Sequence, residues 1–367
     1  MTVYFITIGI LLILCWFLFR TSYDLRITQQ PGTLISTRVQ LQQSKRMRSI
    51  VFLVFLVLAF VAAFRYKVGT DFNAYYRSYG YVNKFARGDY SDPGFTIFAI
   101  IADFIFQGKN GSLTILSAIV SVALFVFTIA KRSENFFISI FLFIFVGCFT
   151  GMFNGVRQYL ATAILFAGFC FVQEKKFFKW LLIVLLASTI HVTAILMILI
   201  YPACNMKSNA FTVAVYFAFA LAMLYFYEPL FNLVGALKGE EINSELGYMI
   251  RGVNVIRIIV QCVPLIMFLF VGSKKINEDQ ECKTLFNVCL LNAAIAVASM
   301  NSAYFARFFI YTMCFQILMY PKIFSKLGKT DRYIFVFLLL FFFSVFWLYE
   351  VSISRSLNNF QWIFNYL

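Results

Sequence analysis

Apolar residues run in long blocks along almost the whole chain, broken by short polar stretches. Many blocks hold about 17–25 mostly apolar residues, enough at ~1.5 Å rise per residue for a helix to cross a ~30 Å hydrocarbon layer. Inside lipid the backbone must satisfy its own hydrogen bonds, so such blocks are predicted as helices. The predicted fold is an all-α, polytopic integral membrane protein of about ten to twelve membrane elements, forming a single domain over residues 1–367.

Basic residues in the short breaks orient the elements. Arg20 to Arg48 holds six basic residues and one acid, which places 20–48 in the cytoplasm by the positive-inside rule. The run Val3 to Phe19, without basic residues before it or a small-residue cleavage site after it, is then a retained first helix with its N-terminus outside. The same rule makes 131–135, 173–179, 272–283 and 321–332 cytoplasmic loops, and 65–93 and 228–250 outer loops. Two places break the alternation. Pro93 to Gln107 is too short to cross and is predicted as a re-entrant or half-spanning helix. Trp180 to Tyr201 is either one span or two half-helices; the loop charges favour a broken hairpin with His191 at its outer tip.

Composition agrees: 62% of residues are hydrophobic and 13% charged, with 48 Phe, outside the usage of a soluble domain. A net charge of +15 in a soluble protein would suggest nucleic acid; here it is a topology signal, and no nucleic-acid partner is expected. Eight scattered cysteines without a CxxC pair, and a single histidine, predict neither a zinc site nor a disulfide framework. No P-loop, nucleophile elbow or metal motif occurs, so neither a metal nor another cofactor is expected.

Ionisable groups in or beside membrane helices are costly and mark functional positions. Asn154, Arg157, Gln158 and Ala161 share one helical stripe, and Arg251, Asn254, Arg257 and Gln261 share another. Guanidinium groups fork onto phosphate oxygens, so Arg65, Arg157, Arg251, Arg257 and Arg307 suit a phosphate or diphosphate at the outer leaflet, with interfacial snorkelling as the alternative. His191 is either a structural histidine or a general base. Asp71 is either a base or the cap of a short helix carrying Phe72, Tyr75, Tyr76 and Tyr79 on one face. That aromatic face is an interfacial belt or a platform for sugar rings.

Taken in order, these motifs resemble the EpsG family of bacterial membrane proteins. The resemblance is carried by Arg65 with Gly-Thr-Asp-Phe-Asn-Ala-Tyr-Tyr at 69–76, Asp-Pro-Gly-Phe at 92–95, Phe-Asn-Gly-Val-Arg-Gln-Tyr-Leu-Ala-Thr-Ala at 153–163, Ser-Thr-Ile-His-Val-Thr-Ala at 188–194 and Ala-Arg-Phe-Phe-Ile-Tyr at 306–311. The family is similar to Wzy-type polysaccharide polymerases and to lipid-linked-sugar glycosyltransferases with GT-C-like folds. The family pattern often has Glu where this chain has Asp92.

The resemblance implies polymerisation of a surface polysaccharide (O-antigen, capsule or exopolysaccharide) at the outer face of the bacterial cytoplasmic membrane. A glycan would pass from a polyprenyl diphosphate carrier to a lipid-linked repeat unit. A chain-length regulator and a flippase of the same pathway are expected partners. On this reading Arg157 and Arg307 hold the diphosphate with Arg65, Arg251 and Arg257 in support, His191, Asp71 and Arg157 carry the catalysis, and Tyr75, Tyr76, Asn154 and Gln158 contact glycan. The competing classes are a transporter of a lipid-linked saccharide, a membrane acyltransferase that modifies a glycan, and a structural partner protein.

Overall fold

In the computed structural model, residues 1–27, 37–76, 92–226, 253–300 and 303–366 are described. Almost all of them are helical, as lipid requires of a chain with this pattern. The helices used below are α1 Thr2–Ile27, α2 Thr37–Ala63, α3 Phe72–Tyr76, α4 Pro93–Ile105, α5 Ser112–Arg132, α6 Phe136–Phe145 and α7 Val156–Gly168. They continue with α8 Phe177–Ile190, α9 Ala210–Tyr225, α10 Val255–Gln261, α11 Val263–Val271, α12 Gln280–Ala298, α13 Ala303–Met313, α14 Gln316–Ser325 and α15 Lys329–Ile353.

Among the described residues five helices are long and apolar enough to cross a membrane, and α13 with α14, bent by 45°, would make a sixth. The other apolar helices have 10–17 residues, so the ten to twelve expected elements include many short ones. Several starts are fixed locally by a capping side chain that accepts a first-turn N–H. Asn135 accepts from Ile138 at 3.1 Å, Asn209 from Thr212 at 2.9 Å, and Asp279 from Cys282 at 2.6 Å.

Both predicted irregularities are present. Helix α4 has 13 residues, about 20 Å of length, and is shorter than a span. Helix α8 ends at Ile190, His191 is extended, and a 3-10 helix Val192–Leu199 follows. The chain doubles back there: the Trp180 indole N–H donates to the Met197 carbonyl at 3.1 Å, and the Phe177 and Tyr201 rings lie 5.1 Å apart. In a straight helix residues 180 and 197 would be about 25 Å apart.

One element lies outside the helical pattern. Beyond α15 the chain returns over the end of the bundle, and Gln361–Trp362 pairs antiparallel with Arg65–Tyr66. The Gly69 N–H donates to the Ser356 carbonyl at 2.9 Å, the Met1 amine to the Asn358 carbonyl at 2.9 Å, and the Tyr4 hydroxyl to the Leu357 carbonyl at 3.1 Å. The starts of α1 and α7 and the ends of α2 and α15 therefore share one end of the bundle.

At the opposite end Lys322 binds Glu134 at 2.9 Å and Glu281 at 2.8 Å, and Lys326 binds Asp279 at 2.8 Å. Between the two ends a group of neutral side chains from different helices is paired in the interior. Gln261 Oε1 accepts from Asn292 at 2.7 Å and from Gln316 at 2.6 Å, while Thr312 donates to Asn292 at 2.8 Å. All eight cysteines are free thiols, five of them fully buried in the core.

Candidate functional site

The site is built where the segment after α2 docks on the start of α7. Gly69 has φ +94°, and a Cβ there would lie 2.0 Å from the Phe153 carbonyl oxygen, so only glycine allows this approach. The contact lets the Thr70 N–H donate to Asn154 Oδ1 at 3.0 Å and the Thr70 hydroxyl to the Asn154 carbonyl at 3.3 Å. Asp71 then accepts the Val156 N–H at 3.3 Å. Its carboxylate caps α7, across the fold, and not the short helix it precedes, because α7 presents its free N–H groups to it. Burial pushes the Asp71 carboxyl above the ordinary aspartate range, opposed by the Val156 N–H, the Thr70 hydroxyl, Arg157 and Arg307.

One residue on, Arg157 leaves α7 toward α3 and α4. Its Nε donates to the Tyr75 hydroxyl at 2.9 Å, and its guanidinium forms an ion pair with Asp92. The guanidinium carbon lies 6.0 Å from the Tyr75 ring centre and 5.8 Å from that of Phe95, within cation–π range. Tyr75 is only 5% exposed, so its ring is covered and its hydroxyl positions Arg157.

The first turn of α4 is pressed against the tip of the hairpin. A Cβ on Gly94 would sit 2.1 Å from Thr189 Oγ1, so the glycine after Pro93 sets how closely Asp92 approaches His191. The His191 Nδ1 is buried without a partner, and Arg157, Asp92 and Arg307 are the charges acting on the imidazole. The other side of the hairpin is tied to α13 by Thr193 Oγ1 and the Tyr311 hydroxyl, 2.8 Å apart. Gln158 donates to the Arg307 carbonyl, joining α7 to α13, while the Arg307 side chain is exposed.

The stripe Asn154, Arg157, Gln158 thus bonds to four parts of the chain: the segment after α2, α3, the start of α4, and α13. Asp71, Arg157, His191 and Arg307 converge at one end with Asp92, which the sequence left out of the site. The sequence signals for Asp92 are a carboxylate immediately before the Pro-Gly start of a short helix and its place in the 92–95 motif of the family resemblance.

Other candidates stand apart. Arg65 is 2% exposed. Its guanidinium donates to the Ala62 and Val68 carbonyls and lies 4.5 Å over the Phe153 ring, so here it packs the end of α2 against the start of α7. Arg257 forms an ion pair with Glu350 of α15, and Asn254 donates to the Tyr349 hydroxyl at 3.2 Å. Gln261, on the same stripe, is turned inward to Asn292 and Gln316. Tyr76 stacks on Phe72 at 5.1 Å. Arg251, Tyr79 and the expected outer loop 228–250 lie outside the described residues.

These features define a polytopic α-helical membrane protein with a charged site at one end, assembled from five separate parts of the chain. The chain belongs to the EpsG family, whose model matches residues 48–366. This is a family of Wzy-type polymerases, and membership makes the protein an enzyme of polysaccharide biosynthesis. No curated protein matches the chain, and no solved structure does.

Proposed function

We propose that this protein is a glycosyltransferase that polymerises a bacterial surface polysaccharide. It moves a glycan from a polyprenyl diphosphate carrier onto a lipid-linked repeat unit, without a metal, at the outer face of the cytoplasmic membrane. The observation that carries the reading is the convergence of Arg157 and Arg307 with His191 and two carboxylates at one end of the bundle. As the anomeric C–O bond breaks, negative charge grows on the diphosphate, and fixed guanidinium groups beside low-dielectric helices stabilise it. The acceptor hydroxyl must lose a proton as it attacks, and this reading gives that proton to His191, with Asp71 as the alternative base. This mechanism assigns the counter-charge to arginine.

The outward orientation rests on the positive-inside rule applied to loops 131–135, 173–179, 272–283 and 321–332. A flippase that delivers the lipid-linked unit and a chain-length regulator belong to the same proposal.

The test is reconstitution in liposomes with a verified native lipid-linked repeat unit. A ladder of longer glycans appearing without nucleotide sugar or added metal is expected; a single unchanged band overturns the reading. The short α4 and the hairpin broken at His191 also fit a transporter of a lipid-linked saccharide, since transporters use discontinuous helices. Transbilayer movement of the lipid-linked unit with no lengthening would select that alternative.

A further inference from the structure

Asp92 is the N-cap residue of α4. Aspartate at that position ordinarily turns its carboxylate onto the free N–H groups of the first turn. Its backbone already serves the helix, because the Asp92 carbonyl accepts the Thr96 N–H at 3.0 Å and the Thr96 hydroxyl at 3.1 Å. Its side chain makes no capping bond and is bound instead to Arg157. The carboxylate therefore has two seats to choose between. One is the Arg157 guanidinium; the other is the first-turn N–H of Gly94, Pro93 having none.

We propose that Asp92 is a placeholder anion, holding the diphosphate position on Arg157 until the substrate displaces it onto the N-terminus of α4. This rests on the polymerase reading for the identity of the diphosphate. The exchange is favoured on both sides. A diphosphate brings more charge than a carboxylate and forks onto the guanidinium, and the displaced carboxylate gains a cap and a favourable helix dipole. The side chains of Arg157 and Asp92 are 33% and 14% exposed, so the pair is reached from the surface yet shielded enough to matter. The Nε bond from Arg157 to Tyr75 is separate from the one to Asp92. Arg157 therefore stays oriented while its counter-ion changes. The swap also takes a negative charge from Arg157 at the moment that residue must hold the leaving group.

The test measures inorganic pyrophosphate binding to the purified full-length protein in detergent at low ionic strength, by calorimetry. Asp92→Asn removes the competitor and is expected to bind roughly tenfold tighter than wild type. Asp92→Glu still reaches Arg157 but caps poorly, and is expected to bind several-fold more weakly than Asp92→Asn and no tighter than wild type. Asp71→Asn removes an equal charge without a contact to Arg157 and is expected to give a smaller gain. In an Arg157→Gln background the Asp92→Asn gain disappears.

The proposal is overturned if Asp92→Asn gives no gain, if Asp71→Asn gives the same gain, if the gain survives without Arg157, or if no variant binds pyrophosphate. Should Asp92→Asn fail to fold, an isotope-edited infrared difference spectrum of wild type replaces it. Pyrophosphate should shift an aspartate carboxylate band, Arg157→Gln should abolish the shift, and an unshifted band in wild type overturns the idea. Liposome lengthening assays keep the two readings apart. A wild-type glycan ladder without these binding effects sinks the placeholder alone, and the binding effects without a ladder sink the polymerase alone.

Discussion

Arg157 is the residue on which most of the site depends, because it bonds to both Tyr75 of α3 and Asp92 at the start of α4. Replacing it with Gln is expected to lower glycan lengthening by about 100- to 1,000-fold, the usual cost of losing one preorganised donor to a developing anion. Arg157→Lys should recover only part of this in the same liposome assay, since a single ammonium cannot hold Tyr75 and a forked phosphate together. Asp71 gives a prediction in pH. Burial raises its carboxyl above the ordinary aspartate range, so the folded state holds that proton more tightly than the unfolded chain. Its contribution to stability is then fully present below the unfolded value and is lost as pH rises through the raised one. Melting temperature should fall across that interval in wild type, and Asp71→Asn should flatten this part of the profile. Both residues were legible as candidates because charge is expensive beside a membrane helix. Their partners were not, since a carboxylate 65 positions away from Arg157 leaves no mark in local spacing.

Among the elements, the returning segment 354–366 decides how firmly the site is held. Its ladder to Arg65–Tyr66 and the Ser356 bond to Gly69 fasten the stretch that carries Asp71 and Tyr75. Trp362 faces Phe60 at 5.4 Å and Phe360 at 4.9 Å, so its indole anchors the ladder. Trp362→Ala is expected to raise amide exchange over residues 64–76 and to lower lengthening, while exchange around Lys322 at the opposite end stays as in wild type. An unchanged exchange pattern at 64–76 would show that the ladder does not restrain the loop. The half-length α4 was visible as a run too short to cross the bilayer, and the break at His191 as a conflict in loop charges around a run long enough to span. The two-residue strand was not, because a pairing that short is made by its partner and has no pattern of its own.

On the scale of the whole fold, the ion pairs of Arg157 and of Lys322 and Lys326 lie at opposite ends of the described bundle. Lys322 and Lys326 join residues 134, 278, 279 and 281, which hold the starts of α6 and α12 against the end of α14. Against a burial that would raise it, the Cys282 N–H, Lys326 and Lys322 keep the Asp279 carboxyl below its ordinary range. Lys322 is 15% exposed while its acidic partners are 35–43% exposed, so salt should screen the cluster in part. Raising ionic strength is expected to lower the melting temperature of wild type more than that of Lys322→Ala. Equal slopes would remove the cluster from the stability of the fold.

The sequence by itself determined the all-α membrane class, the positions of most helices and the stretches that could not span. These follow from the length and polarity of contiguous runs, which lipid reads one segment at a time. The tertiary structure decided which charges meet. It turned Arg65 into packing beneath Phe153 and gave Arg257 to Glu350. It also brought Asp92, Arg157 and His191 together from three distant helices. Ion pairs, close glycine contacts and a two-residue strand are all made between segments. Their free energy depends on distance and burial in space, and periodicity along the chain carries neither.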